Sequence, residues 1–297
     1  MSHKVIRIDE LSGEIISEFS IGEDETLTAT NKDKKRQQKK YLENQTKMEN
    51  FSKENGGFIK LFFVHNDALY GSAIPNKHLA KVIYLATYIE YDTNRLVVNK
   101  NHIEAMTKTD MKRRLSLGDT AFKEFYKYII DEGIVEEKDK EYYFRSDFCI
   151  KGEFSKYFIP ENYTRLYIDT TRMLYEGTEG KNRDKELLSY IYKILPYVHH
   201  STNALTYEPN AKDLKTYMKP ENLAKLLDID KSSKLMNRLS GFKIRYKGRE
   251  YLIMARVKIY AGCEVVKDCY IVNPAVYYRG NNYEYMMESL SALIFTM

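Results

Sequence analysis

One pattern occurs twice along this chain, and that duplication constrains its fold more than any other feature. Ala80–Asn94 (AKVIYLATYIEYDTN) aligns without a gap to Ser189–Asn203 (SYIYKILPYVHHSTN). Both copies are apolar at helical spacing. Both end in Thr-Asn with a leucine two positions on: Thr93, Asn94 and Leu96, then Thr202, Asn203 and Leu205. Further along, Tyr142–Gly152 (YYFRSDFCIKG) matches Tyr270–Gly280 (YIVNPAVYYRG), strand-like runs closed by a basic residue and glycine. The offset is larger in the second match, so the second copy carries extra residues in its middle. Repeats this far apart are duplicated domains rather than solenoid units.

The middle of the first copy sets the expected domain type. Thr109 is placed to cap a short helix with Met111 and Leu115 on its apolar face. Leu117-Gly118-Asp119 reads as a tight turn, with Gly118 free to take positive φ. Asp119 or Thr120 caps the next helix, where Phe122, Phe125 and Ile129 share a face. Gly133 stops it as a C′ glycine. Two β-prone segments, Ile134–Glu136 and Tyr142–Phe144, flank the charged tip Glu137–Glu141. Helix, turn, helix and hairpin is the order of a winged helix-turn-helix. The second copy repeats it with Pro220–Leu227, the turn Asp228-Ile229-Asp230 and a helix over Lys231–Leu239. Its hairpin is longer, running Phe242–Tyr246, Tyr251–Tyr260 and Val265–Val272. The expected long helices are Leu79–Tyr91 and Glu186–Val198.

The strand Tyr270-Ile271-Val272 leading into Asn273-Pro274 and then Tyr277-Tyr278-Arg279-Gly280 resembles the closing segment of RepL-like winged-helix replication proteins of Firmicute plasmids and phages. More loosely, the chain resembles the tandem winged-helix plasmid initiators. Asp9–Ile15 (DELSGEI) is similar to the N-terminal acidic hairpin of the RepL-like group. That group typically carries one winged domain, and here the pattern gives two; the first copy has Arg145-Ser146 where the second has Asn273-Pro274. The resemblance implies a role in initiating or controlling replication, with host replication or transcription proteins as further partners. A transcriptional regulator of the same kind of element uses the same groove contacts and stays open, as does a protein-interaction factor.

The expected architecture is therefore α+β, with two tandem winged helix-turn-helix domains, an N-terminal hairpin and linker, and a C-terminal helix. The expected divisions are 1–55, 56–153, 164–282 and 283–297. At 297 residues there is length for two cores. No run approaches the roughly 18 to 20 apolar residues of a membrane span. The start MSHKVIRIDE lacks a signal-peptide core. With three cysteines, an odd number, a reducing cytoplasm is the expected setting.

The formal net charge is +5, mild for a nucleic-acid binder, but its distribution is uneven. Asp9, Glu10, Glu14, Glu18, Glu23, Asp24 and Glu25 make the start acidic. Lys34, Lys35, Arg36, Lys39 and Lys40 then form a basic stretch suited to sequence-independent DNA contact. Glu25–Asn55 lacks apolar periodicity and reads as a charged helix or a linker.

Double-stranded DNA is the expected partner. A recognition helix presents its N-terminal residues to base edges. In the first copy these are Asp119, Thr120, Lys123, Glu124 and Lys127, with Lys112, Arg113 and Arg114 placed toward phosphates. In the second they are Lys231, Ser232, Ser233, Lys234, Asn237 and Arg238; Asn and Arg can read adenine and guanine. A basic wing tip comes next in Arg245, Lys247 and Arg249. No enzymatic, metal or cofactor site is expected. His199 and His200 are adjacent, whereas two imidazoles on one strand face need a one-residue gap. No Gly-rich phosphate loop ends in Gly-Lys-Ser/Thr. Tyr277 and Tyr278 could stack on bases, but beside a strand they read as core. The C-terminal stripe Met286, Leu290, Leu293 and Met297 needs burial, and packing on its own chain would make a monomer off DNA.

Overall fold

The structure is a computed structural model. It describes residues 3–8, 15–21, 29–62, 74–98, 104–152, 163–178, 181–212, 214–229, 239, 242–246, 248–261, 264–280 and 282–291. The protein is mixed α+β, and the chain divides into two compact units, Met1–Lys47 and Met48–Met297.

In the first unit, β1 (His3–Ile8) pairs antiparallel with β2 (Ile15–Ile21), in register from His3↔Ile21 and bulged after Arg7. Helix α1 (Ala29–Glu54) begins here and runs across the boundary between the units. Of the two readings of this polar segment, a charged helix is the one the structure takes.

The second unit is built on an antiparallel sheet of β3 (Phe58–Phe62), β6 (Cys149–Ile150), β7 (Tyr163–Tyr167) and β12 (Tyr277–Tyr278). Their order across the sheet is β12-β7-β3-β6. Strands β3 and β7 occupy corresponding places in the two halves and lie side by side, with Lys60 opposite Arg165 at the centre of the register. On either flank, Lys60 pairs with Ile150 and Arg165 with Tyr278. The duplication is thus folded into one sheet rather than strung out. The long helices α2 (Asn76–Ala86) and α6 (Asn182–Ile194) also pack on each other. They meet where the aligned residues are small: the Ala80 amide donates to Ser189 Oγ at 3.0 Å.

The repeated Thr-Asn has a structural cause. Asn94 and Asn203 both take positive φ, 58° and 53°. Each sends its amide group to two strand-end carbonyls. Asn94 Nδ2 donates to Cys149 O at 2.7 Å and Phe144 O at 3.4 Å. Asn203 Nδ2 donates to Tyr277 O at 2.8 Å and Val272 O at 3.2 Å. A short polar side chain tolerates this backbone and satisfies buried acceptors at once. The closing glycines are needed for space: a Cβ on Gly152 would collide with the Asp92 carboxylate, and one on Gly280 with His200 O and the Tyr278 ring.

Several expected boundaries move. Helix α2 starts directly after Pro75 and stops before Tyr88, because Tyr88 and Glu90 bond to Val97 and Arg95 in a local hairpin instead. Helix α6 stops at Ile194, where Pro196 cannot continue the ladder and a 3₁₀ turn, Leu195–Tyr197, takes over. The next helix in the first half is α3 (Lys108–Leu115), capped by Thr107 rather than Thr109. Thr107 and Asp110 bond each other's backbone amides, a capping box that the tripeptide Thr-Lys-Thr disguises. Positive φ in the next turn falls on Ser116 (50°), and Gly118 is the N-cap of α4 (Asp119–Asp131). Gly133 (φ 61°) closes α4 as expected, with Ile134 N–H on Ile129 O and Gly133 N–H on Ile130 O.

Strands β4 (Val135–Lys138) and β5 (Glu141–Phe144) meet at a two-residue tip, Asp139-Lys140, both at positive φ. That makes the hairpin tighter than the expected Glu137–Glu141 loop. Helix α5 (Ile168–Glu176) comes directly after β7.

The second half's long hairpin is two hairpins. β8 (Lys243–Tyr246) pairs with β9 (Arg249–Leu252), and β10 (Met254–Ala261) with β11 (Glu264–Val272). The break is at buried Ile253, whose amide bonds Phe242 O while its carbonyl accepts from Asn273 N–H. In the first half Ile134 O accepts from Arg145 N–H. The counterpart of β4–β5 is therefore β10–β11, and β8–β9 is an additional hairpin.

Helices α7 (Pro220–Leu226) and α8 (Tyr283–Ser291) complete the unit. Met286 and Leu290 of the expected C-terminal stripe are buried; Leu293 and Met297 lie outside the described residues. Tyr277 and Tyr278 are fully buried, as the core reading required.

Candidate nucleic-acid interface

The two halves build the same turn. In the first, Ser116 N–H bonds Arg113 O and Leu117 N–H bonds Lys112 O. In the second, Asp228 N–H bonds Lys225 O and Ile229 N–H bonds Ala224 O. Asp228 takes positive φ (53°), as Ser116 does. Leu115 and Leu227 are buried on the inner side of this turn. In the first half the turn leads into α4. In the second, Lys231, Ser232, Ser233, Lys234, Asn237 and Arg238 lie outside the described residues, as does Lys247.

On α4, Phe125 and Ile129 are buried and fix which side faces out. Thr120, Lys123 and Lys127, at i, i+3 and i+7, share the exposed side. Among the described residues, neither Lys123 nor Lys127 forms an ion pair, so both charges face solvent. The acidic neighbours are engaged elsewhere. Glu124 pairs with Lys77 of α2, which holds its carboxyl below the usual range. Asp119 pairs with Lys112 and is held low in the same way.

The three cations of α3 differ. Lys112 is bound to Asp119. Arg113 pairs with Asp110 at 2.6 Å but is largely exposed. Arg114 turns inward: it donates to Val98 O at 3.1 Å and lies over the Tyr88 ring at 5.3 Å. Arg114 is thus a packing residue in this arrangement, and its position on a short helix gave no sign of that.

The β4–β5 hairpin is acidic but largely neutralised. Glu137 accepts from the Tyr126 hydroxyl at 2.8 Å and pairs with Lys108 at 3.7 Å. Glu136 pairs with Lys138 at 2.5 Å, and Glu141 with Arg95 at 2.7 Å. Lys108 also lies over the Tyr126 ring at 4.6 Å.

Arg245 and Arg249 are exposed, and they sit on the additional β8–β9 hairpin, not on the counterpart of β4–β5. Arg245 reaches Glu250 at 3.6 Å. Lys34, Lys35, Arg36, Lys39 and Lys40 are all exposed on α1.

Behind α3 lies a group the sequence did not announce. The C-terminal carbonyl of Leu115 accepts from Lys185 Nζ at 2.9 Å and from the Tyr175 hydroxyl at 3.1 Å. Lys185 is buried on α6 and its pKa is lowered to about 8 by desolvation. The second half thereby fixes the end of a first-half helix. His78 stacks on Tyr128 of α4 at 4.4 Å. Burial, then Lys81 and Lys77, lower its pKa to about 4.

His199 and His200 have backbone partners: His199 Nε2 lies 2.9 Å from Ala211 O, and His200 Nδ1 3.3 Å from Pro209 O. Among the described residues, no helix is long and apolar enough to cross a membrane. Comparison with models of known protein families, with curated proteins and with solved structures gave no match.

Proposed function

We propose that this protein binds double-stranded DNA sequence-specifically through two tandem winged helix-turn-helix units and acts as a replication initiator of a plasmid or phage. The observation that carries the reading is the shared turn at Ser116 and Asp228. In the first half it delivers a helix whose outer side is Thr120, Lys123 and Lys127, with buried Phe125 and Ile129 behind. A fixed turn with small, polar and basic residues on the next helix suits a major groove. The initiator role rests on the resemblance of the Tyr270–Gly280 segment, and regulation of transcription is the alternative with the same contacts.

Base reading is assigned mainly to Lys234, Asn237 and Arg238, where no acidic residue interrupts the sequence. The basic α1 segment adds affinity without sequence preference. Burial of Met286 and Leu290 within the chain supports a monomer off DNA. No catalytic residue is assigned, and the proposed place of action is the cytoplasm.

The deciding experiment is selection of bound genomic fragments by the purified protein, followed by footprinting. Protection of repeated sites at an origin is the expected result, and protection confined to a promoter points to the regulator. Replacing Lys234, Asn237 and Arg238 by Ala should remove the selected footprint, at about 1–3 kcal/mol per lost base contact. Selective binding that survives in a folded triple variant places the reading face elsewhere. Failure to bind any DNA in low salt sinks the proposal.

A further inference from the structure

A cavity of about 560 Å3 opens in the second half. Four parts of the chain line it: the turn with His199, Ser201, Thr202 and Ala204, the connection that includes Lys212, Leu214 and Tyr217, the face of β10–β11, and α8. The strand face contributes Val257, Cys269 and Ile271, with Val257 directly opposite Cys269 in the register. Helix α8 contributes Tyr285. Apart from the turn, these are parts in which the second half departs from the first: a longer connection, a longer hairpin and a helix placed after the repeat.

The walls are held in place by bonds internal to them. Ser289 Oγ donates to Thr202 O at 3.0 Å and anchors α8. His199 is buried, with Ala211 O on one ring nitrogen and the Ser201 and Thr202 hydroxyls near the other. Glu288 already has an interaction partner. Lys212 differs: it is exposed at the mouth and has neither an ion pair nor a hydrogen bond among the described residues.

We propose that this cavity is a binding site for a small, flat aromatic carboxylate. Its volume lies within the usual range for small-molecule sites, about 300–1,000 Å3. Two tyrosines and an aliphatic strand face suit a planar apolar body, and the Lys212 ammonium, unpaired among the described residues, suits one anionic group at the rim. This inference does not depend on the DNA-binding reading.

Calorimetric titration with naphthalene-2-carboxylate tests it, with neutral naphthalene-2-carboxamide as control. One saturable site per chain is expected. Lys212→Gln should weaken the carboxylate about tenfold, the effect of roughly one charge-assisted contact, and leave the carboxamide unchanged. Filling the cavity by Ile271→Trp, or by Val257→Phe if the first variant unfolds, should abolish binding of both. In a Cys263→Ser background the carboxylate should also slow alkylation of Cys269. Absence of saturable heat in the wild type, or binding that survives a folded cavity-filling variant, overturns the site. Equal carboxylate affinity in wild type and Lys212→Gln overturns the assignment of an anion.

Discussion

At the scale of single residues, Asn94 and Asn203 do the same work in each half, and their removal should be felt strongly. Asn203→Ala loses two bonds to buried carbonyls and places a Cβ-bearing residue without a compensating amide at positive φ. A loss of about 2–4 kcal/mol is expected in urea denaturation. Asn203→Gly should recover about 1 kcal/mol, the conformational part alone. Equal stability of Ala and Gly variants would show that the backbone conformation contributes nothing. His78 gives a pH signature. Folded, it stays neutral down to about pH 4, whereas the unfolded chain takes up the proton near 6.5. Between those values the unfolded state binds more protons, so stability falls as pH drops. Lys81 and Lys77 reinforce the effect and Glu124 opposes it. Wild type should lose about 2 kcal/mol more than His78→Phe between pH 7 and pH 5. Parallel losses in both proteins would assign the acid sensitivity to other groups.

Elements differ in how far they could be read from the sequence. Helix α4 was legible because Phe125, Ile129 and Gly133 state its face and its end, and its exposed Lys123 and Lys127 follow from that face. Replacing both lysines by Ala should lower the salt slope of DNA binding by about 2, at nearly constant stability, since among the described residues neither pairs with a carboxylate. An unchanged slope would remove α4 from the interface. Arg114 was not legible: its charge pointed to phosphate, while its place beside Val98 and Tyr88 makes it packing. Helix α5 was missed for a related reason. Ile168–Glu176 is short, and it becomes helical where Ile168, Leu174 and Tyr175 pack inward and Thr171 Oγ1 bonds Tyr167 O. The extra hairpin β8–β9 was hidden because Leu252, Ile253 and Met254 read as one apolar strand. The bonds of Ile253 N–H to Phe242 O and of Asn273 N–H to Ile253 O mark the break.

At the scale of the whole unit from Met48 onward, the halves share a sheet and a helix pair, so they should not unfold separately. Among the described strands, removing β7 would leave β3 with only the two-residue β6 as its partner. Ser189→Leu puts a large side chain where Ala80 approaches and removes its hydroxyl partner; about 1–3 kcal/mol of overpacking cost is expected. Circular dichroism and tyrosine fluorescence should report one coincident transition, shifted in the variant. Two resolved transitions would mean that the halves fold independently. Residue order is enough to show that a pattern occurs twice, which helices carry an apolar face, and that Thr-Asn and the closing glycine recur. These are local and periodic properties, written in residues close together in the chain. Tertiary structure alone decided that β3 and β7 join the repeats edge to edge, that Lys185 reaches a carbonyl in the other half, and that the second half's additions enclose a cavity. Such contacts join residues far apart in sequence, and their strength comes from burial and shape, which no local pattern encodes.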